Sequence, residues 1–102
     1  MITVYITCRN KKEARKISRH LLNKKLIACA NIFPIESLFW WKGKINEEKE
    51  VAIIAKTVKD NFELVKEEVK KVHSYDVPCV VAWEIVEGNE DYLDWICEEV
   101  KT

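Results

Sequence analysis

Trp40 and Trp41 stand side by side in Phe39-Trp40-Trp41-Lys42-Gly43-Lys44, and that adjacency limits what the chain can fold into. Successive side chains of a strand point to opposite faces of its sheet. The two indoles therefore cannot enter one core from the same side. The Lys42-Gly43-Lys44 turn, the charged Glu47-Glu48-Lys49-Glu50 and the apolar run from Val51 to Ala55 mark the return arm of a β-hairpin. A soluble chain with large aromatics on both faces of one strand needs a cover for the second face. Another copy of itself is the simplest cover.

The remaining pattern supplies the frame for that hairpin. Ile2, Val4 and Ile6 alternate with Thr3, Tyr5 and Thr7, which predicts a first strand. Asn10 and Glu13 have capping-box spacing ahead of Ala14, Ile17, Leu21 and Leu22, and Lys24-Lys25 suits the helix end. A second strand starts near Ile27, Pro34 predicts a bend, a bulge or an edge position, and the strand resumes over Ser37 to Trp41. The return strand begins at about Ile45 or Glu48 and reaches Val58. Asp60 and Glu63 repeat the capping-box spacing before a helix striped by Phe62, Val65, Val69 and Val72. A loop from His73 to Pro78, a strand from Cys79 to Val86 and a short helix carrying Tyr92, Leu93, Ile96 and Val100 complete the chain.

The order β-α-β-β-α-β plus a C-terminal helix is that of two interleaved βαβ units. It predicts an α+β fold, the ferredoxin-like sandwich, with a four-stranded antiparallel sheet and the first two helices on one face. The other face is either tolerated by water or covered, and Phe39, Trp40, Trp41 and Ile53 on the middle strands favour cover by a partner. At 102 residues the expectation is one domain spanning 1–102.

Composition narrows the function classes. Seventeen basic and 17 acidic residues balance, which argues against a dedicated phosphate-backbone binder while leaving a local basic patch open. The topology suits an RNA-binding sheet of the RRM type, but no aromatic-glycine RNP segment is present. With two glycines there is no phosphate-cradling loop, and GxSxG, HExxH and GxGxxG are missing. A protein without enzymatic activity is the expectation. No apolar run nears the roughly 20 residues that span a bilayer. Cys8, Cys29, Cys79 and Cys97 include no CxxC pair, and the first residues do not read as a secretory signal. The expected setting is cytoplasmic, with reduced thiols and no membrane or nucleic-acid partner.

Ala28-Cys29-Ala30-Asn31, Trp41-x-Gly43-Lys44, Lys56-Thr57, His73-x-Tyr75-x-Val77-Pro78 and Asn89-x-x-Tyr92-Leu93-x-Trp95 run in register over the whole chain. Together they resemble the CutA divalent-cation-tolerance family. The resemblance implies a ferredoxin-like subunit in a tight homotrimer, with edge strands and the long hairpin pairing between subunits. It implies a response to divalent metal ions, with copper binding by some members, and no established enzymatic activity. Regulators of the PII type share the trimeric architecture, so a signalling or small-ligand-binding trimer is the alternative function.

Two groups of residues are candidate sites. His73 lies in the family's His-x-Tyr motif, and with Cys79 it offers an imidazole and a thiolate, a donor pair suited to copper or zinc. The first-strand cysteine that some members associate with metal reads as Ile6 here, with Cys8 two residues on. The plain alternative is that His73 closes a helix and Cys79 is a small buried side chain. The second group is Trp41, Lys56 and Tyr75, which would contact an anionic ligand in a cleft between subunits. An intersubunit ion pair of Lys56 with Glu50 or Glu84 is the structural alternative. Cys29 reads as packing beneath the first helix, Trp95 as a core or interface anchor, and His20 as a residue without a partner.

Overall fold

Alternation in β1 (Ile2–Cys8) decides which face becomes the core. Ile2, Val4, Ile6 and Cys8 all point one way and are buried. In the computed structural model, which describes residues 1–101, they meet Ile53 and Ala55 of β3 (Lys44–Thr57). Ala14, Ile17 and Leu21 of α1 (Lys11–Asn23) and Val65 and Val69 of α2 (Phe62–Val72) close that core from above. The remaining elements are β2 (Cys29–Trp41), β4 (Val80–Glu84) and α3 (Glu90–Glu99). The strands form one antiparallel sheet in the order β2-β3-β1-β4. The ferredoxin-like α+β architecture read from the sequence is therefore the observed one.

Strand β2 runs without a break through Pro34, which pairs with Val51 in an uninterrupted register. Of the three roles open to that proline, the edge position is the one it takes. β2 has a neighbour on one side only, so a missing N–H costs no ladder bond. The hairpin turn falls where expected. Lys42 and Gly43 both have positive φ, 51° and 76°, and Trp41 pairs with Lys44.

Three expectations need correction. The middle strands of the chain are not both in the middle of the sheet, and Ile53 does not lie on the open face. It is fully buried against the helices. Asp60 and Glu63 do not cap α2. Residues Lys59–Asn61 form a 3-10 turn, and α2 begins at Phe62 without a side-chain cap bond. The Asn61 side chain donates instead to the carbonyl oxygens of Leu26 (3.3 Å) and Lys101 (2.9 Å) and to Thr57 Oγ1 (3.3 Å). That draws the end of β3 and the C-terminal stretch together. The last strand stops at Glu84, short of Val86.

The second face of the sheet is partly dressed by α3. Cys29 lies on that face by register, and its sulfur is 3.3 Å from the Tyr92 hydroxyl. Cys29 therefore packs under α3 and not under α1, a further correction. Trp95 stacks on Tyr92 with centroids 5.6 Å apart. Among the described residues no helix is long and apolar enough to cross a membrane.

Candidate metal centre

Two chain reversals meet at the end of β1. At the first, β1 gives way to α1 through Arg9 and Asn10. Asn10 Oδ1 accepts from the Glu13 amide at 2.9 Å, and Glu13 Oε1 accepts from the Arg9 amide at 2.9 Å. This is the predicted capping box, with the return bond displaced by one residue. At the second, α2 ends on His73, whose amide still donates to Val69 while its backbone turns extended.

The His73 ring is held at both nitrogens. Nε2 lies 2.8 Å from the Thr7 carbonyl oxygen, which can only accept, so Nε2 carries the proton. Nδ1 accepts from the Tyr75 amide at 3.0 Å. Glu13 Oε2 accepts from the Ser74 amide at 2.9 Å, and the Tyr75 hydroxyl donates to Glu50 Oε2 at 2.7 Å. Tyr75 thus reaches round the end of β1 to a carboxylate on the opposite face of the sheet.

Cys8, Glu13 and His73 each bring one ligand atom to within 4.8 Å of the other two. Sulfur, oxygen and nitrogen donors together suit copper or zinc better than magnesium or calcium. Burial, reinforced by Glu13 and Glu50, pushes the Cys8 thiol up to about 12. It becomes a strong ligand only by giving up its proton to the incoming cation. Burial opposes ionisation of Glu13, but hydrogen bonds from Ser74 and the Arg9 amide outweigh it and hold the carboxyl below its ordinary range. Burial, with the Glu50 hydrogen bond, raises the Tyr75 phenol.

His73 is thus in the trio, but Cys79 is not. Cys79 is half-buried beside Thr7. Burial raises its thiol, and a side-chain hydrogen bond with Thr7 opposes that in part. The missed members carry only a faint signal in the sequence. Cys8 is the last inward position of β1, and a capping residue such as Glu13 sits above the strand end that its helix follows. The second candidate group is spread out. Lys56 donates to Asn31 Oδ1 at 3.4 Å, while Glu50 and Glu84 are engaged by Tyr75 and Lys59. Lys56 pairs with Cys29, and Trp41 lies twelve residues further along β2, roughly 40 Å away. Within one chain Trp41, Lys56 and Tyr75 line no common cleft. His20 does have a partner, Glu68, at 2.8 Å. Cys97 is exposed, with its sulfur 4.0 Å from that of Met1.

Comparison with known proteins bears on the chain as a whole. Residues 2–99 match the family described as CutA1 divalent ion tolerance protein. The divalent-cation tolerance protein CutA of Archaeoglobus fulgidus is 50% identical over 98 residues, 96% of each chain. The crystal structure of CutA1 from Pyrococcus horikoshii OT3 carrying the mutation D60A superposes with a TM-score of 0.97 at 44% identity, covering all of both chains. The structure of the A. fulgidus protein, described there as periplasmic, gives 0.96 at 49% identity over 99% of this chain and all of the other.

Proposed function

The chain belongs to the CutA1 divalent ion tolerance protein family, and from that premise we propose that it binds copper or a similar divalent cation through Cys8, Glu13 and His73 as a homotrimer without catalytic activity. The observation that carries the metal reading is the convergence of those three ligand atoms within 4.8 Å. A bound cation there would neutralise a thiolate and a carboxylate and tie the start of α1 to the end of α2. The trimer rests on the exposed aromatics. Phe39, Trp40, Trp41 and Trp83 stay open in the single chain, a larger apolar display than a soluble monomer sustains. Four free thiols fit a reducing, cytoplasmic setting.

The alternative of a ligand-binding regulator draws no support from a single-chain pocket, since its three residues lie apart. Titration of the reduced protein with copper against a calibrated chelator tests the metal reading. Stoichiometric binding that disappears in Cys8→Ala and His73→Ala but persists in Cys79→Ala is expected. Binding that survives the first two substitutions overturns it.

A further inference from the structure

The segment from Ser74 to Cys79 joins α2 to β4, and it is fastened over the trio by the trio's own ligand atoms. Glu13 spends one carboxylate oxygen on the Ser74 amide and the other on the Arg9 amide. His73 gives Nε2–H to Thr7 and takes the Tyr75 amide on Nδ1. A metal-binding histidine commonly donates its second ring N–H to a backbone carbonyl, which fixes the tautomer and aims the other nitrogen. Thr7 already provides that carbonyl, so Nδ1 is the nitrogen aimed for coordination. The Tyr75 amide occupies it.

We propose that Tyr75 is the gate of this site: its hydroxyl, anchored on Glu50, holds the 74–79 segment shut with the Tyr75 amide on His73 Nδ1, and loss of that anchor opens His73 and Glu13 to a cation. The inference rests on the metal-binding reading above. The hydroxyl–carboxylate bond at 2.7 Å is the shortest of the bonds that fasten the segment. Its charged acceptor makes it a strong one. The phenol also lies against the imidazole, with centroids 4.8 Å apart and ring planes at 49°, so the ring that carries the anchor screens the ligand. Asp76 and Val77 beyond it are exposed in the single chain, so outward movement of the segment meets no packing from that chain there. Tyr75 and Glu50 are thus positioning residues. They touch no cation and set how often His73 Nδ1 is free.

A site that is open part of the time binds with its intrinsic affinity reduced by the open fraction. Removing the anchor raises that fraction. Tyr75→Phe keeps the ring and the backbone amide and deletes the bond to Glu50, and Glu50→Gln weakens the same bond from the other side. Copper and zinc are titrated separately into wild type and both variants against a chromophoric chelator, with imidazole nitrogen shifts of His73 and exchange of the Tyr75 amide read alongside. Both variants should bind more tightly, Tyr75→Phe by about 10-fold or more, the scale of one lost charge-assisted hydrogen bond, and Glu50→Gln by less. The Tyr75 amide should exchange faster in the free protein, and the Nδ1 resonance should shift on loading. A merely structural role for Tyr75 lowers melting temperature and affinity together, and that outcome overturns the gate. Coordination through Nε2 also overturns it. Wild-type binding that Cys8→Ala abolishes and Tyr75→Phe leaves unchanged removes the gate and keeps the metal site. No binding by any form removes both.

Discussion

Strand β3 belongs to two different structures. Its residues 51–56 are paired on both sides, with β1 and with β2, and Ala52, Ile53, Ala55 and the adjoining Thr57 are buried. Its residues 44–50 pair with β2 alone, in an arm that leaves the body of the molecule. There Ile45 is 61% exposed, and Leu38, Trp40 and Trp41 across from it are 65%, 72% and 53% exposed. The two halves differ in sequence as well as in cover: residues 51–57 carry Val51, Ala52, Ile53, Ile54 and Ala55, whereas 44–50 carry Ile45 alone and take their other large apolar side chains from β2. The longest dimension is 45 Å, and the radius of gyration, 14.1 Å, exceeds the roughly 13 Å of a compact chain this long. A bare two-stranded ribbon is marginal in water. The arm therefore takes little support from its own chain.

The contrast breaks first if equal truncations act equally in both halves. Ile53→Ala opens a cavity among β1, α1 and α2 and should cost about 2–5 kcal/mol in denaturant unfolding. Trp40→Ala in the arm should leave the stability of the subunit within about 0.5 kcal/mol. Unfolding followed at two protein concentrations separates the subunit from its assembly. An arm substitution as costly as the core one, and independent of concentration, would show that the arm is held by its own chain. Next in size is Trp41→Ala, which should weaken self-association by about 2 kcal/mol, the scale of an interface hot spot. Dilution in the analytical ultracentrifuge reads it, and a wild-type protein already monomeric at micromolar concentration would remove the basis for the effect.

Acid sharpens the comparison from the side of the body. Lys71, His20 and Lys24 surround Glu68 and clamp α1 to α2. The Lys71 hydrogen bond first, and then that of His20, bring the Glu68 carboxyl down to about 2. A carboxyl lowered in the folded state stabilises above its unfolded value and loses that contribution as pH falls through the folded one. The body should therefore weaken from about pH 4.5 towards 2, and Glu68→Gln should flatten that part of the profile. An unchanged slope in Glu68→Gln would assign acid sensitivity to other carboxyls.

How much of this the sequence discloses follows the same division. The body is legible because alternation in β1 and the spacing of Ile17, Leu21, Val65 and Val69 each report a single buried face. The turn is legible because Lys42-Gly43 supplies the backbone that a tight hairpin demands. Strand pairing is less so. Whether Pro34 bends a strand or edges it depends on which strand lies beside β2, and no local pattern records that. The metal trio illustrates the same limit. His73 stands out in a motif, while Cys8 and Glu13 look like a strand end and a helix cap until the fold brings α2 back over them. Proximity in sequence favoured Cys79, but Cys8 joins His73 from the far end of the chain.

The smallest expected effect tests whether the arm is a separate unit. Gly43 has φ of 76°, and a Cβ built there meets nothing within 4 Å. Gly43→Ala therefore introduces no clash, and its cost is backbone strain in the left-handed region, about 1 kcal/mol. Lys42 already occupies that region at φ 51°, so the turn has no neighbouring residue free to absorb the change. In an arm paired with β2 alone, the strain should appear as faster amide exchange over residues 38–47, with exchange in β1 and in residues 51–57 of β3 unchanged. Exchange that quickens equally in β1 would mean that the two halves of β3 open together, and the division between body and arm would then be one of exposure and not of stability.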